Sequence, residues 1–198
     1  MGKLNNTKEA QLEQNLIDLL CAQHGQWTFR SDLKTEEDLW NNLRNIIEIR
    51  NKSELNDNML TDSEFERIRS EILANTKTPF EAAKWLRGEK GKCSVVLERD
   101  NGLGRIELII YSSIEKNGGF SSYEIVHQIA KNKSNLEERS RRFDITLLIG
   151  GLPIIQIELK TAIAKDGVKQ AYYQIEKYID EGTFSNTIFQ TLQLYVMS

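Results

Sequence analysis

A chain of 198 residues with a formal net charge of −3 is long enough for one good core, or one core with a helical appendage, and is too acidic for a generic basic nucleic-acid binder, although a local basic groove remains compatible. Its two cysteines, Cys21 and Cys93, have no metal spacing and form no disulfide framework, and the isolated His24 and His127 support neither a zinc site nor a His-based triad. With no signal peptide, lipidation signature or apolar run of bilayer length, the expectation is a cytoplasmic protein with no membrane partner.

Residues 8–22 carry an amphipathic helical pattern with Leu12, Leu16, Leu19 and Leu20 on one stripe, and Cys21 on its apolar side reads as core. Thr35 to Asp38 is a capping box that opens a second helix to about Ile49, with Leu39, Trp40, Leu43, Ile46 and Ile47 apolar. Thr61 to Glu64 repeats the signal before Phe65, Ile68 and Leu73. Thr78-Pro79-Phe80-Glu81 then combines a cap, a proline at the first helical position and a capping glutamate. Residues 8–90 are therefore a mainly helical portion, whose Trp residues read as core because they fall at helical spacing with aliphatics.

From 91 to 198 the pattern is of strands and helices. Residues 94–98 and 105–111 read as strands around the polar loop Asp100-Asn101-Gly102-Leu103-Gly104, which lacks the following helix and the Lys-Ser/Thr pair of a phosphate loop. A short helix is expected over 123–130, ahead of a polar stretch from 131 to 141. A helix over 166–181 should turn Val168, Ala171 or Tyr172, Ile175 and Ile179 inward, and a final strand should cover 187–197. No repeat or linker divides the chain, so one domain over 1–198 is expected. Stopping on a core strand, it reads as a fragment of something longer.

The most informative segment is RFDITLLIGGLPIIQIELK, residues 142–160. It reads as two apolar strands around a Gly-Gly-Leu-Pro turn, with Asp144 opening the first and Glu158-Leu159-Lys160 closing the second. Carboxylates on apolar strands are costly to bury unless they are paired or bind a metal, and a metal-dependent phosphodiester-cleaving centre would account for them. Opposed residues of an antiparallel pair have a constant sum of numbers. A three-residue loop, Gly150-Gly151-Leu152, sets Ile149 against Pro153 and Asp144 against Glu158, with Lys160 on the same face. A two-residue turn would put the acids on opposite faces, barring a bulge. The bland alternative is a strand-end salt bridge of Glu158 with Lys160 or Arg142. The acid-x-Lys triplet alone is weak evidence, since Asp32-Leu33-Lys34 is another, in a polar connector with no strand to order it. Lys131, Lys133, Arg139, Arg141 and Arg142 precede Asp144, and Lys165, Lys169 and Lys177 follow the second strand, a placement suited to phosphate binding.

The run Asp144-x-x-Leu-x-x-Gly-Gly-Leu-Pro153 followed by Ile157-Glu158-Leu159-Lys160 closely resembles the nuclease domain of the motor (R) subunit of type I restriction enzymes, in the PD-(D/E)xK superfamily. Gln174-Ile175-Glu176-Lys177-Tyr178 resembles that family's Gln-x-x-x-Tyr motif. Glu13-Gln14-Asn15-Leu16-Ile17 is similar to its first-helix Glu-x-x-Leu-Ile element, and Asp38-Leu39-Trp40 to a further stretch. The hairpin and Gln-x-x-x-Tyr together are specific. Gly150 departs from the Asn that the family often has, but either residue tolerates a positive φ.

The resemblance implies an α/β fold: a restriction-endonuclease-like core, a mixed twisted sheet flanked by helices, with a helical N-terminal portion. It implies Mg²⁺-dependent hydrolysis of double-stranded DNA leaving a 5′-phosphate, with Asp144, Glu158 and the Leu159 carbonyl as metal ligands. Lys160 would position or deprotonate the attacking water, and Gln174 and Tyr178 would orient the lysine or the DNA backbone. Glu13 would be an auxiliary acid, with Glu9 as its rival and a solvated helix face as the plain reading. Arg141, Arg142, Lys165 and Lys169 would contact DNA. The implied partners are the methyltransferase and specificity subunits of a restriction complex, with ATP used only in a motor portion absent from these residues. A stand-alone restriction or repair nuclease and a non-catalytic subunit-docking domain remain open alternatives.

Overall fold

The computed structural model describes residues 2–22, 26–112, 122–130, 142–160 and 166–198, with the backbone alone for 2–7, 130 and 142. The basic residues Lys131, Lys133, Arg139, Arg141 and Lys165 lie outside the described residues, as does the Arg142 side chain. Helices α1 (Gly2–Cys21), α2 (Glu36–Arg50), α3 (Lys52–Leu55), α4 (Asp62–Asn75) and α5 (Pro79–Arg87) occupy the first half, with the short strand β1 (Thr28–Phe29) between α1 and α2. Strands β2 (Lys92–Glu98) and β3 (Arg105–Ser112) form an antiparallel ribbon. There follow β4 (Tyr123–Ala130), β5 (Arg142–Ile149), β6 (Leu152–Glu158), α6 (Gly167–Asp180), a 3₁₀ turn (Ile188–Thr191) and β7 (Leu194–Met197).

The capping signals form the helix starts they announced. Asp38 N–H donates to the Thr35 hydroxyl at 3.1 Å, and Thr35 N–H donates to the Asp38 carboxylate at 2.8 Å. The Thr61 cap goes further, because its hydroxyl also donates to Asp100 at 2.6 Å and ties α4 to the β2–β3 loop. Glu64 of that capping box is fully buried and accepts from the Arg99 guanidinium and the Asp100 amide, both at 2.7 Å. Thr61→Ala is therefore expected to cost about 1 kcal/mol, the usual worth of a side-chain cap, measured as a lower denaturant midpoint at unchanged slope.

The main sheet has the order β1-β4-β5-β6-β7, with β1 parallel to β4, β6 parallel to β7, and antiparallel pairs between. This five-stranded mixed sheet with helices on its faces is the expected α/β, restriction-endonuclease-like arrangement. One face packs Ile125, Ile145, Leu147 and Ile157 against Ile17 of α1. The other joins a larger core with Leu39, Trp40, Leu43 and Ile47 of α2, Phe65 and Ile68 of α4, and Tyr178 of α6. Trp40 is a core residue, as its helical spacing indicated.

Several expectations are corrected. Residues 123–130 form strand β4 and not a helix. Ile125 and Val126 are buried on opposite faces of the sheet, so the alternation that marks a strand is absent from the sequence. The final strand is confined to Leu194–Met197, because Ile188–Thr191 winds into a 3₁₀ turn closed by the Thr187 cap. On α1 the buried ridge is Glu13 and Ile17. Leu12 and Leu19 are exposed, and Cys21 faces solvent rather than the core. On α6, Ala171 and Ile175 are buried as expected, but Val168, Tyr172 and Ile179 are exposed and Tyr178 takes the inward place.

The hairpin between β5 and β6 departs from its expected loop. Ile149 pairs with Leu152 and Leu148 with Pro153, so the turn is the two residues Gly150 and Gly151, both left-handed at φ 61° and 83°. That is the mirror-image turn whose twist suits a hairpin. The register then shifts between Leu147 and Leu148, and Leu147 pairs with Ile155, leaving Ile154 as the extra residue of a bulge. Beyond it Thr146 pairs with Gln156 and Ile145 with Ile157, which continues to Asp144 opposite Glu158. The turn is even and the bulge adds one, so the odd offset needed to bring the acids together is restored.

Candidate active site

At the open end of this hairpin the polar residues of β5 and β6 form one strip. The Thr146 hydroxyl donates to the Gln156 side-chain carbonyl at 2.7 Å, and the Gln156 amide donates to Glu158 Oε1 at 3.1 Å. From α6, Gln174 Nε2 donates to Glu158 Oε2 at 2.7 Å and to the Tyr178 hydroxyl oxygen at 2.6 Å. Asp144 Oδ2 accepts from the Leu159 amide at 2.9 Å. The β6–β7 ladder is extended by Ser198, whose N–H donates to the Glu158 carbonyl at 3.1 Å, while Lys160 N–H donates to the Ser198 carbonyl at 2.7 Å. The strand end that carries Glu158 and Lys160 is thus held from both sides.

Glu158 is fully buried. Burial, and next the facing Asp144 charge, hold its carboxyl well above the usual carboxylate range, with Lys160 opposing. Its side-chain partners among the described residues are the Gln156 and Gln174 amides and the Asp144 carboxyl, so the simple strand-end ion pair with Lys160 is not what the structure shows.

Glu13 comes from α1 and is 7% exposed, which removes the solvated-face reading. Both of its carboxylate oxygens accept from Gln128 Nε2 of β4 at 3.0 Å. Its carboxyl is raised chiefly by burial, and by the charges of Asp144 and Glu9, against the Gln128 hydrogen bond and Lys160. Asp144 and Lys160 therefore lie within electrostatic reach of Glu13, which the sheet alone would not have brought near them.

The structure brings Asp144, Glu158, Lys160, Gln174, Tyr178 and Glu13 to one end of the sheet. Lys169 stands apart on the exposed side of α6, its ammonium 5.8 Å from the centre of the Tyr173 ring. Gln128, Thr146 and Gln156 were not read from the sequence as site residues. The last two are signalled by their even spacing from Asp144 and Glu158. Gln128 is hidden by the mistaken helix over 123–130, since only a strand would set it across from Asp144.

The donor set suits Mg²⁺. Burial and the Asp144 charge disfavour the charged form of Glu158, and a bound divalent cation would offset that penalty. Among the described residues no group of three His, Cys, Asp or Glu has the geometry of a metal cage. Mg²⁺ uses one or two carboxylates and keeps several waters, so it does not need one. No helix among the described residues is long and apolar enough to cross a membrane.

Residues 6–198 match the family described as type I restriction enzyme R protein N terminus. Over 168 residues the chain is 30% identical to the type I restriction enzyme SsaAORF53P endonuclease subunit of Staphylococcus saprophyticus, covering 84% of this chain and 16% of that protein. It is 28% identical over 171 residues to the SauCOLORF180P endonuclease subunit of Staphylococcus aureus, with 85% of this chain and 16% of the relative covered. A shorter stretch of 74 residues, 36% of this chain and 22% of the relative, is 40% identical to the EcoprrI endonuclease subunit of Escherichia coli. The chain thus spans about a sixth of the length of its first two relatives. With the hairpin, the Gln174–Glu158 contact and the mixed sheet all in place, the chain belongs to the N-terminal nuclease region family of type I restriction enzyme R subunits.

Proposed function

We propose that this chain is the DNA-cleaving part of a type I restriction R subunit, hydrolysing phosphodiesters of double-stranded DNA with Mg²⁺ and leaving a 5′-phosphate. The observation that carries the reading is Asp144 set across from a buried Glu158, with Lys160 two residues beyond on the same strand end. Target recognition, methylation and ATP-driven translocation belong to other parts of the complex, with specificity and methyltransferase subunits as partners in the cytoplasm.

Asp144 and Glu158 would hold the ion, and the Leu159 peptide, already bound to Asp144 through its N–H, would offer its carbonyl. The bound ion would lower the pKa of a water and offset charge on the phosphate. Gln174 and Gln156 each donate to one oxygen of Glu158, which fixes the carboxylate plane before any ligand arrives. Tyr178, buried against Phe143, anchors Gln174 through its hydroxyl. Lys160 would orient the attacking water through its ammonium, or take the water's proton as the neutral amine. Lys169, Arg142 and the basic residues outside the described segments would track the backbone and make binding salt-dependent.

Calorimetric titration of Mg²⁺ or Mn²⁺ into the wild type and Glu158→Ala tests the metal assignment, and binding is expected to vanish in the variant. In an assembled restriction complex, Lys160→Ala should slow cleavage by about a hundredfold or more, the range for losing a proton-transfer group. If Asp144→Ala and Lys160→Ala cut DNA like the wild type, the domain is a docking module and the nuclease reading is wrong.

A further inference from the structure

Gln128 sits in the middle of β4 with a φ of 55°. An extended strand has no use for a left-handed residue, and a non-glycine side chain there is strained. Such strain persists where surrounding contacts over-determine it, commonly at functional sites. The β4–β5 ladder pairs His127 with Ile145 and then Ile129 with Phe143, so the twisted residue falls across from Asp144. The side chain it redirects reaches α1, and Nε2 meets both oxygens of Glu13 at 3.0 Å. The contact closes one wall of a cleft of about 330 Å³ between α1 and β4, lined by Ala10, Glu13, Gln14, Ile17, His127 and Gln128.

The choice of an amide is informative. A guanidinium or ammonium at this place would neutralise Glu13, whereas an amide holds the carboxylate and leaves its charge available to a cation. A carboxylate in a partly dehydrated cleft, with Asp144 and Glu9 acting on it, would otherwise rotate toward bulk water. A purely structural latch between α1 and the sheet would be served equally well by apolar contact, which Ile17 already provides on the same helix.

We propose that Gln128 is a positioning residue for the metal-dependent reaction: the left-handed turn of its backbone aims its amide across the α1–β4 cleft and pins the Glu13 carboxylate at the edge of the Asp144–Glu158–Lys160 site. This rests on the nuclease reading and adds to it a residue that acts only through Glu13.

The test is a double-mutant cycle on Mn²⁺ affinity, measured by calorimetry on the chain, with melting curves confirming the fold. Gln128→Gly keeps the backbone conformation and removes the amide. Gln128→Leu keeps the bulk and takes over if the glycine variant does not melt cooperatively. Either is expected to weaken Mn²⁺ binding by about tenfold, the usual effect of removing a partner that orients a metal-site carboxylate. In the Glu13→Ala background the same substitution should change the affinity no further. An unchanged affinity in the Gln128 variants, an effect that persists beside Glu13→Ala, or a Glu13→Ala variant that binds Mn²⁺ like the wild type each overturns the proposal. Those failures are distinct from failure of the nuclease reading: if Glu158→Ala still abolishes binding, only the Gln128 role falls. If the wild type shows no saturable Mn²⁺ binding, both fall.

Discussion

Glu158→Gln is expected to abolish metal-dependent DNA cleavage while making the metal-free chain more stable. On the proposed role of Glu158 as a metal ligand, the loss of rate should be roughly a thousandfold, corresponding to about 4 kcal/mol of charge stabilisation in the transition state. The gain in stability has a different origin. Glu158 is fully buried and faces Asp144, so its folded carboxyl keeps its proton to a pH well above that of the unfolded chain. Stability linked to that proton is complete below the unfolded carboxylate range and drains away as pH rises through the raised folded value. The metal-free wild type should therefore lose melting temperature from about pH 5 upward, since the unfolded chain ionises there and the folded one resists.

Glutamine removes the titration and keeps the shape. Its amide nitrogen can donate to Asp144, and its oxygen still accepts from Gln174 or Gln156. A side chain that is neutral without having to hold a proton is worth on the order of 2 kcal/mol toward pH 8, or about 5 °C for a chain of this size. Melting curves of both proteins from pH 5 to pH 8, with and without Mg²⁺, check this. Mg²⁺ should raise the wild type and leave Glu158→Gln unmoved. A variant that melts lower than the wild type at pH 8, or that still cleaves at the wild-type rate, contradicts the assignment.

Gly151→Ala is expected to cost about 3 kcal/mol, the sum of forcing a left-handed conformation on alanine and overfilling a packed contact. At φ 83° the residue lies beyond what side chains accept easily. A Cβ built there would stand 2.9 Å from Ile46 Cδ1 and 3.2 Å from the Leu43 Cα of α2. The methyl of Ile46 can turn aside, but the helix backbone at Leu43 cannot. Thermal melting should fall by roughly 6 to 12 °C, taking 2 to 4 °C per kcal/mol for a domain of this size. Gly150→Asn is the control. Its φ of 61° suits asparagine, and the nearest atom to an added Cβ is the Tyr111 ring at 3.5 Å, so it should melt close to the wild type. Equal melting temperatures for the two variants would mean that the turn does not dock on α2.

The turn matters for chemistry because register passes through it. A hairpin with Gly150 and Gly151 alone would direct Asp144 and Glu158 to opposite faces. The bulge at Ile154 reverses that parity. Pro153 contributes no N–H to the ladder next to this bulge, which is the position where a missing donor is tolerated.

Much of this was legible in the residues. The acids, the lysine and the Gln-x-x-x-Tyr spacing sit on strands and a helix whose periods dictate which residues share a face, and capping boxes announce α2 and α4 through bonds made within four residues. The α6 stripe was partly misjudged because a helix read alone favours its most apolar residues. In place, the buried arc runs through Ala171, Ile175 and Tyr178, and the tyrosine is welcome in the core because Phe143 and Phe184 receive its ring. Likewise α1 sets Glu13 inward and leaves Leu12 and Leu19 outside, since its neighbour at that height is Gln128 and not an apolar strand.

By itself the sequence determined much of what depends on local bonds: the starts of α2, α4 and α5, the tendency of paired glycines to turn, and three ionisable groups on one hairpin. Only the tertiary structure decided what depends on contacts between distant segments. The strand nature of 123–130 follows from burial between β1 and β5, which no local pattern reveals. The meeting of Asp144 with Glu158 follows from a bulge whose cost is set by the packing of the whole sheet. The approach of Glu13 follows from a left-handed residue at Gln128, 115 positions along the chain, whose strain is sustained by the fold around it and not by its own neighbours.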